Sequence, residues 1–76
     1  MGRNLKEHGI KLRERMYQFI SKYVSDMGYS PTVREIGKAV GLKSSASVYN
    51  HLTQLEIEGR IATKPNSPRT IRIIKK

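Results

Sequence analysis

Leu12, Met16, Phe19, Ile20, Tyr23, Val24 and Met27 follow one another at spacings dominated by three and four. That period lines up one apolar face of a helix. Lys11, Arg13, Arg15, Gln18, Ser21, Lys22 and Ser25 fill the other face. The pattern predicts a first helix from Ile10, closed by Gly28, because glycine accepts the left-handed backbone that follows a helix C-terminus. Residues 1–9 are polar and charged and are expected to form a flexible basic tail.

Pro31 cannot extend a helix and biases Ser30 toward extended geometry, so Tyr29-Ser30-Pro31 reads as a connector. Thr32-Val33-Arg34-Glu35 has the form of a capping box: a hydroxyl and a carboxylate three residues apart satisfy each other's backbone amides. A second helix follows, with Val33, Ile36 and Val40 on one face, and Gly41 stops it. After the link Gly41-Leu42-Lys43, Ser44-Ser45 offers an N-cap for a third helix. Val48, Leu52 and Leu55 form its apolar stripe and Gly59 ends it. Short helix, glycine turn, longer helix is the order of a helix-turn-helix.

Past Gly59 the period drops to two. Ile61 and Thr63 align in one strand, Ile71 and Ile73 in another. Lys64-Pro65-Asn66-Ser67-Pro68-Arg69 between them is rich in turn formers. The expected fold is therefore mostly α with a small β-hairpin: a three-helix winged helix-turn-helix over residues 10–76, its recognition helix at about 45–58 and its wing at about 61–74.

Charge turns this fold toward a class of partner. The chain has 76 residues, 15 Lys and Arg against 6 Asp and Glu, and a formal net charge of +9. Such a balance attracts polyanions, nucleic acid first and an anionic membrane second. One domain of this length leaves little room for an enclosed active site. No cysteine is present, which excludes disulfides and thiolate metal sites and fits a cytoplasmic protein. His8 and His51 lie far apart, so no metal and no cofactor are expected. The first residues carry no apolar signal core, and no run is long enough to span a bilayer. Asp26 is the lone aspartate, no glycine loop cradles a phosphate, and no signature places a base beside a serine, so an enzyme is not expected. His51, beside the stripe, is expected to be packed and hydrogen-bonded. Ile57, off the stripe, is expected to be exposed.

The outward residues in the first turns of the third helix are Ser44, Ser45, Ala46, Ser47, Tyr49 and Asn50, since Val48 and Leu52 point inward. In a helix-turn-helix this region meets base edges in the major groove. Asn50 suits adenine, Ala46 a thymine methyl, the serines bases or phosphates, and Tyr49 a base stack or a phosphate. The plainer reading makes the serines caps and Tyr49 and Asn50 a solvated face. Arg34, Lys38 and Lys43 are candidates to hold phosphates, or ordinary surface cations. Lys64 and Arg69 at the hairpin tip are stronger ones, because a basic wing can reach a phosphate or a narrow minor groove. Arg72, Lys75 and Lys76 add diffuse attraction.

Gly28-Tyr29-Ser30-Pro31-Thr32-Val33-Arg34-Glu35-Ile36-Gly37 resembles the start of the helix-turn-helix of the LexA family, repressors of the bacterial SOS response. Val40-Gly41-Leu42-Lys43-Ser44 resembles its turn. His51-Leu52, Leu55-Glu56 and Gly59-Arg60-Ile61 continue the likeness, and Pro68-Arg69-Thr70-Ile71 is similar to the second half of its wing. The resemblance spans about Leu12 to Ile74 and looks closer to Gram-positive members. It implies a winged-helix operator binder acting as a transcriptional repressor, with Ser44, Ala46, Ser47, Tyr49 and Asn50 facing the bases. Family members also carry a self-cleaving peptidase domain with a Ser-Lys pair that makes the dimer. This sequence ends just after the wing, so the expectation is a module that neither cleaves itself nor dimerises by that route. It would be a monomer in solution that pairs, if at all, on a palindromic operator. Because the recognition helix varies with operator, the SOS operator itself is not implied.

Two other functions fit the same residues. Winged helices also serve as protein-interaction modules, since fold does not fix function. A basic surface also serves sequence-neutral binding to nucleic acid.

Overall fold

The computed structural model describes residues 5–64 and 69–74. Three helices, α1 (Leu5–Met27), α2 (Val33–Val40) and α3 (Ser45–Ile57), precede an antiparallel hairpin of β1 (Ile61–Ala62) and β2 (Arg72–Ile73). This is the three-helix winged architecture expected from the periodicity.

The core sits where the predicted stripes converge. Met16 and Ile20 of α1, Ile36 and Val40 of α2, and Val48, Leu52 and Leu55 of α3 are buried with Ile61 and Ile71 of the hairpin. Leu12, Tyr17, Phe19, Val24, Val33, Leu42 and Ile73 pack against them half-buried. Met27 falls on the predicted face yet is exposed, as is Ile10. A 23-residue helix is longer than the elements it packs on, so its ends run past the core.

The first helix starts at Leu5 and not at Ile10, so residues 5–9 of the expected tail are helical. Leu5, Lys6 and Glu7 are strong helix formers. Gly9 costs about 1 kcal/mol relative to alanine, too little to stop a helix already propagating. Residues 1–4 of that tail lie outside the described residues.

The capping box of α2 forms as predicted. The Glu35 amide donates to Thr32 Oγ1 (3.2 Å) and the Thr32 amide to Glu35 Oε1 (2.8 Å). Gly41 closes α2 in the left-handed conformation (φ 81°), and the Leu42 amide donates to the Gly37 carbonyl (2.8 Å). Gly37 is needed for a different reason. A Cβ there would lie 3.0 Å from the Leu42 carbonyl oxygen and 3.2 Å from Val48 Cγ2, so its missing side chain lets α3 cross close to α2.

The strands are shorter than the alternation suggested. Ile61 pairs with Ile73 and Ala62 with Arg72. Beyond them side chains replace the ladder: the Lys64 amide donates to Thr70 Oγ1 (3.2 Å), and the Thr70 hydroxyl donates to the Lys64 carbonyl (3.3 Å). The Ile71 amide turns away to donate to Ser30 Oγ (3.2 Å). At the foot of the hairpin Arg60 holds Glu14 of α1 with both terminal nitrogens (2.9 and 3.2 Å) and lies 3.9 Å over the Tyr17 ring.

Candidate nucleic-acid interface

Burial of Val48, Leu52 and Leu55 fixes the rotation of α3 and thereby selects its outward residues. Ser44, Ser45, Ala46, Tyr49 and Asn50 are exposed, and Ser47 is half-buried. Ser44 occupies the N-cap in extended geometry, but its hydroxyl makes no capping bond. The first turn of α3 holds no acidic residue. The positive end of the helix dipole thus lies beside four small side chains, with no acidic residue in that first turn to neutralise it. A surface of this kind can approach a polyanion closely.

Two shallow grooves flank that face. One, of about 750 Å³, brings Arg34 and Lys38 of α2 together with Lys43, Ser44, Ser45 and Tyr49. The other, of about 600 Å³, runs between α2, α3 and the hairpin and is lined by Arg34, Tyr49, Thr53, Lys64, Arg69 and Thr70 among others. Arg34 and Tyr49 border both. Ala46, Ser47 and Asn50 line neither. The expected backbone-holding residues therefore share these grooves with Ser44, Ser45 and Tyr49 of the expected base-facing set, though the chain separates Arg34 from Lys64 widely.

The charges are sorted between this face and the rest. Arg34, Lys38, Lys43 and Lys64 are exposed, and none has an ion-pair partner among the described residues. Lys11, Arg15 and Arg72 are also unpaired but line neither groove. The cations that do carry acid partners are Arg13 with Glu58, Lys22 with Asp26, Arg60 with Glu14 and Arg69 with Glu35, and of these four Arg69 alone lines one of the two grooves. The Arg60 bond holds the Glu14 carboxyl below its ordinary range, helped by Gln18. Glu35 is also lowered, first by the Thr32 amide that its capping bond accepts and then by Arg69.

Arg69 is not a free tip cation. Its guanidinium donates to the Tyr23 hydroxyl (3.3 Å), the Ser30 carbonyl (3.1 Å) and Glu35 Oε2 (3.2 Å), and it sits 5.0 Å over the Tyr29 ring. The wing tip at 65–68 lies outside the described residues, as do Lys75 and Lys76. His51 is packed but not hydrogen-bonded as expected. Its Nδ1 is buried without a partner among the described residues. Burial, then Arg13, pushes its pKa below the ordinary histidine value. Ile57 is exposed as expected, at 71%.

Sequence reasoning passed over Thr53, which lies one turn after Tyr49 on the same groove. It also passed over Ser30, a residue 2% exposed whose hydroxyl accepts from the wing. The first was legible in the four-residue spacing. The second was not, because its partner lies 41 residues away. Among the described residues no group of histidines, cysteines and carboxylates could hold a metal ion, and no helix is long and apolar enough to cross a membrane.

Comparison with known proteins points the same way. The family model described as the LexA DNA binding domain matches residues 11–70. A protein named LexA repressor from Caldicellulosiruptor saccharolyticus is 44% identical over 70 residues, covering 92% of this chain and 35% of that protein. LexA repressors from Staphylococcus epidermidis and Listeria monocytogenes are each 48% identical over 64 residues, covering 84% of this chain and 31% of theirs. The chain thus spans about a third of the length of the curated relatives it matches.

Proposed function

The chain belongs to the LexA DNA-binding domain family, and from that premise we propose that it binds double-stranded DNA as the operator-reading module of a transcriptional repressor. The first turns of α3 enter the major groove. Asn50 reads a base edge through its amide, Ala46 meets a thymine methyl, and Ser44, Ser45, Ser47 and Tyr49 supply short polar contacts. Arg34, Lys38 and Lys43 hold phosphates on one side of the groove and Lys64 on the wing holds one on the other, fixing the register without reading sequence. No metal or cofactor takes part. The module is a monomer in solution, and two copies pair on a palindromic site.

One observation carries this reading: Arg34, Lys38, Lys43 and Lys64, which border the outward face of α3, lack acid partners among the described residues, whereas Arg13, Arg60 and, on the same groove as Lys64, Arg69 have them. A surface that keeps its positive charge unneutralised around a small-residue helix face suits a polyanion with a groove. It does not suit a neutral protein partner.

Selection of bound duplexes from a random pool, followed by affinities across a salt series, tests it. Enrichment of one motif, with about 4–10 kcal/mol of preference over random duplex, supports operator reading. Salt-sensitive binding without a motif reduces the function to sequence-neutral binding. Indifference to DNA at low salt refutes both and leaves a protein partner to be sought.

A further inference from the structure

We propose that Arg69 does not touch DNA but positions the wing that does. Its guanidinium locks the hairpin to α1 and α2 so that Lys64 is presented at the groove. The proposal rests on the operator-binding reading above.

The geometry is that of a fastener. One guanidinium reaches three segments at once: the Tyr23 hydroxyl in α1, the Ser30 carbonyl in the connector and the Glu35 carboxylate in α2. Glu35 is itself held from two sides, since its Oε1 accepts the Thr32 amide of the capping box (2.8 Å) and the Tyr23 hydroxyl (3.4 Å). The carboxylate that caps α2 therefore also anchors the wing. Two residues further on, the Ile71 amide donates to the buried Ser30 hydroxyl, a second clamp on the same connector. The backbone of Arg69 adopts φ 56°, a left-handed conformation uncommon outside glycine. The side chain carried on that turn has a planar fork that meets several acceptors together, which the point charge of lysine cannot do. Three of the five guanidinium N–H groups are engaged in this way, so a phosphate reaching the other two would lie beside the Glu35 carboxylate and be repelled by it.

Phosphate contact and positioning predict opposite signs for one substitution. Glu35→Gln removes a negative charge and releases Arg69, while glutamine still serves a capping box. If Arg69 were a phosphate ligand, this variant would bind the selected duplex more tightly. If Arg69 positions the wing, the variant binds more weakly, by about tenfold, within the range for coupled neighbours. Arg69→Lys keeps the charge and is expected to show a similar loss.

The decisive measurement is a double-mutant cycle by fluorescence anisotropy on that duplex. Lys64→Ala is made in the wild-type chain and in the Glu35→Gln and Arg69→Lys chains, with thermal melts recorded for each. Positioning requires Lys64→Ala to cost less in either variant than in the wild type, because a released wing no longer presents Lys64. Tyr23→Phe, which deletes one hydroxyl, replaces any variant that fails to fold. Tighter binding by Glu35→Gln, wild-type affinity for Arg69→Lys, or an undiminished cost for Lys64→Ala overturns the proposal. Additive variants on an enriched duplex would overturn positioning alone, leaving operator reading intact. No motif for the wild type would refute operator reading instead, and no DNA binding would remove both.

Discussion

Gly37 offers a test of whether backbone contact sets the angle between α2 and α3. A methyl at this position would stand 3.0 Å from the Leu42 carbonyl oxygen and 3.2 Å from Val48 Cγ2, both a few tenths of an ångström too near. Neither neighbour is a free chain end. Leu42 is fixed by its own amide bond to the Gly37 carbonyl, and Val48 is 1% exposed. Relieving such crowding costs about 1 kcal/mol, the low end for overpacking. Alanine recovers about 1 kcal/mol over glycine inside a helix. Gly37→Ala is therefore expected within about 0.5 kcal/mol of the wild type, the two effects cancelling. Valine gains less helix propensity and pushes two further methyls into the same contact, so Gly37→Val should cost about 3 kcal/mol or more. That is a large share of the roughly 4–11 kcal/mol usual for a domain of this length. Urea unfolding followed by circular dichroism measures it, and a melting shift of roughly 4–8 °C per kcal/mol checks the result. A Gly37→Val chain within about 1 kcal/mol of wild type would show that α3 moves away freely, and the close-approach argument would fail.

His51 gives a pH dependence of stability. Its folded pKa lies below the unfolded value of about 6.5, so its contribution is complete above that pH and declines as pH falls from there through the folded pKa. His51→Gln should flatten that decline in denaturation curves taken across the series. It should leave a separate loss in stronger acid, where Glu14 and Glu35 take up protons. Leu55, fully buried where α3 meets the core, should cost about 2–5 kcal/mol on truncation to alanine, read by the same unfolding assay. Asn50→Ala should leave the melting point unchanged and relax preference at one base position by about 1–3 kcal/mol, read by repeating the selection. Lys64→Ala should weaken binding to all duplexes alike and lower the slope of log affinity against log salt by about one, whereas an unchanged slope would show that Lys64 meets no phosphate.

The helices were legible because each buries one stripe and each stop has a chemical mark. Gly28, Gly41 and Gly59 all have positive φ where the periodicity ends. Thr32 and Glu35 announced the start of α2 as plainly as the backbone shows it. The outward residues of α3 followed by subtraction, once Val48, Leu52 and Leu55 were assigned inside. What stayed illegible was settled at long range. Nothing local distinguishes Lys64, whose ammonium has no ion-pair partner among the described residues, from Arg69, which is engaged. Both are cations beside a turn, and only folding brings Tyr23, Ser30 and Glu35 to one of them. The unpaired His51 Nδ1 and the side-chain bonds that shorten the hairpin belong to the same class. The early start of α1 is different: its residues favour helix, but the absence of a period hid it.

The bonds that hold the hairpin also fix when it forms. Glu14 and Arg60 are 46 residues apart, Ser30 and Ile71 are 41, and Glu35 and Arg69 are 34. Loop closure over such lengths is costly until the segments that receive the contacts are in place. The expectation is that the helices come together first and the hairpin docks onto the surface they form. Unfolding reverses the order. The wing is then the least stable cooperative unit, and its amides should exchange with solvent through openings that leave the three helices closed.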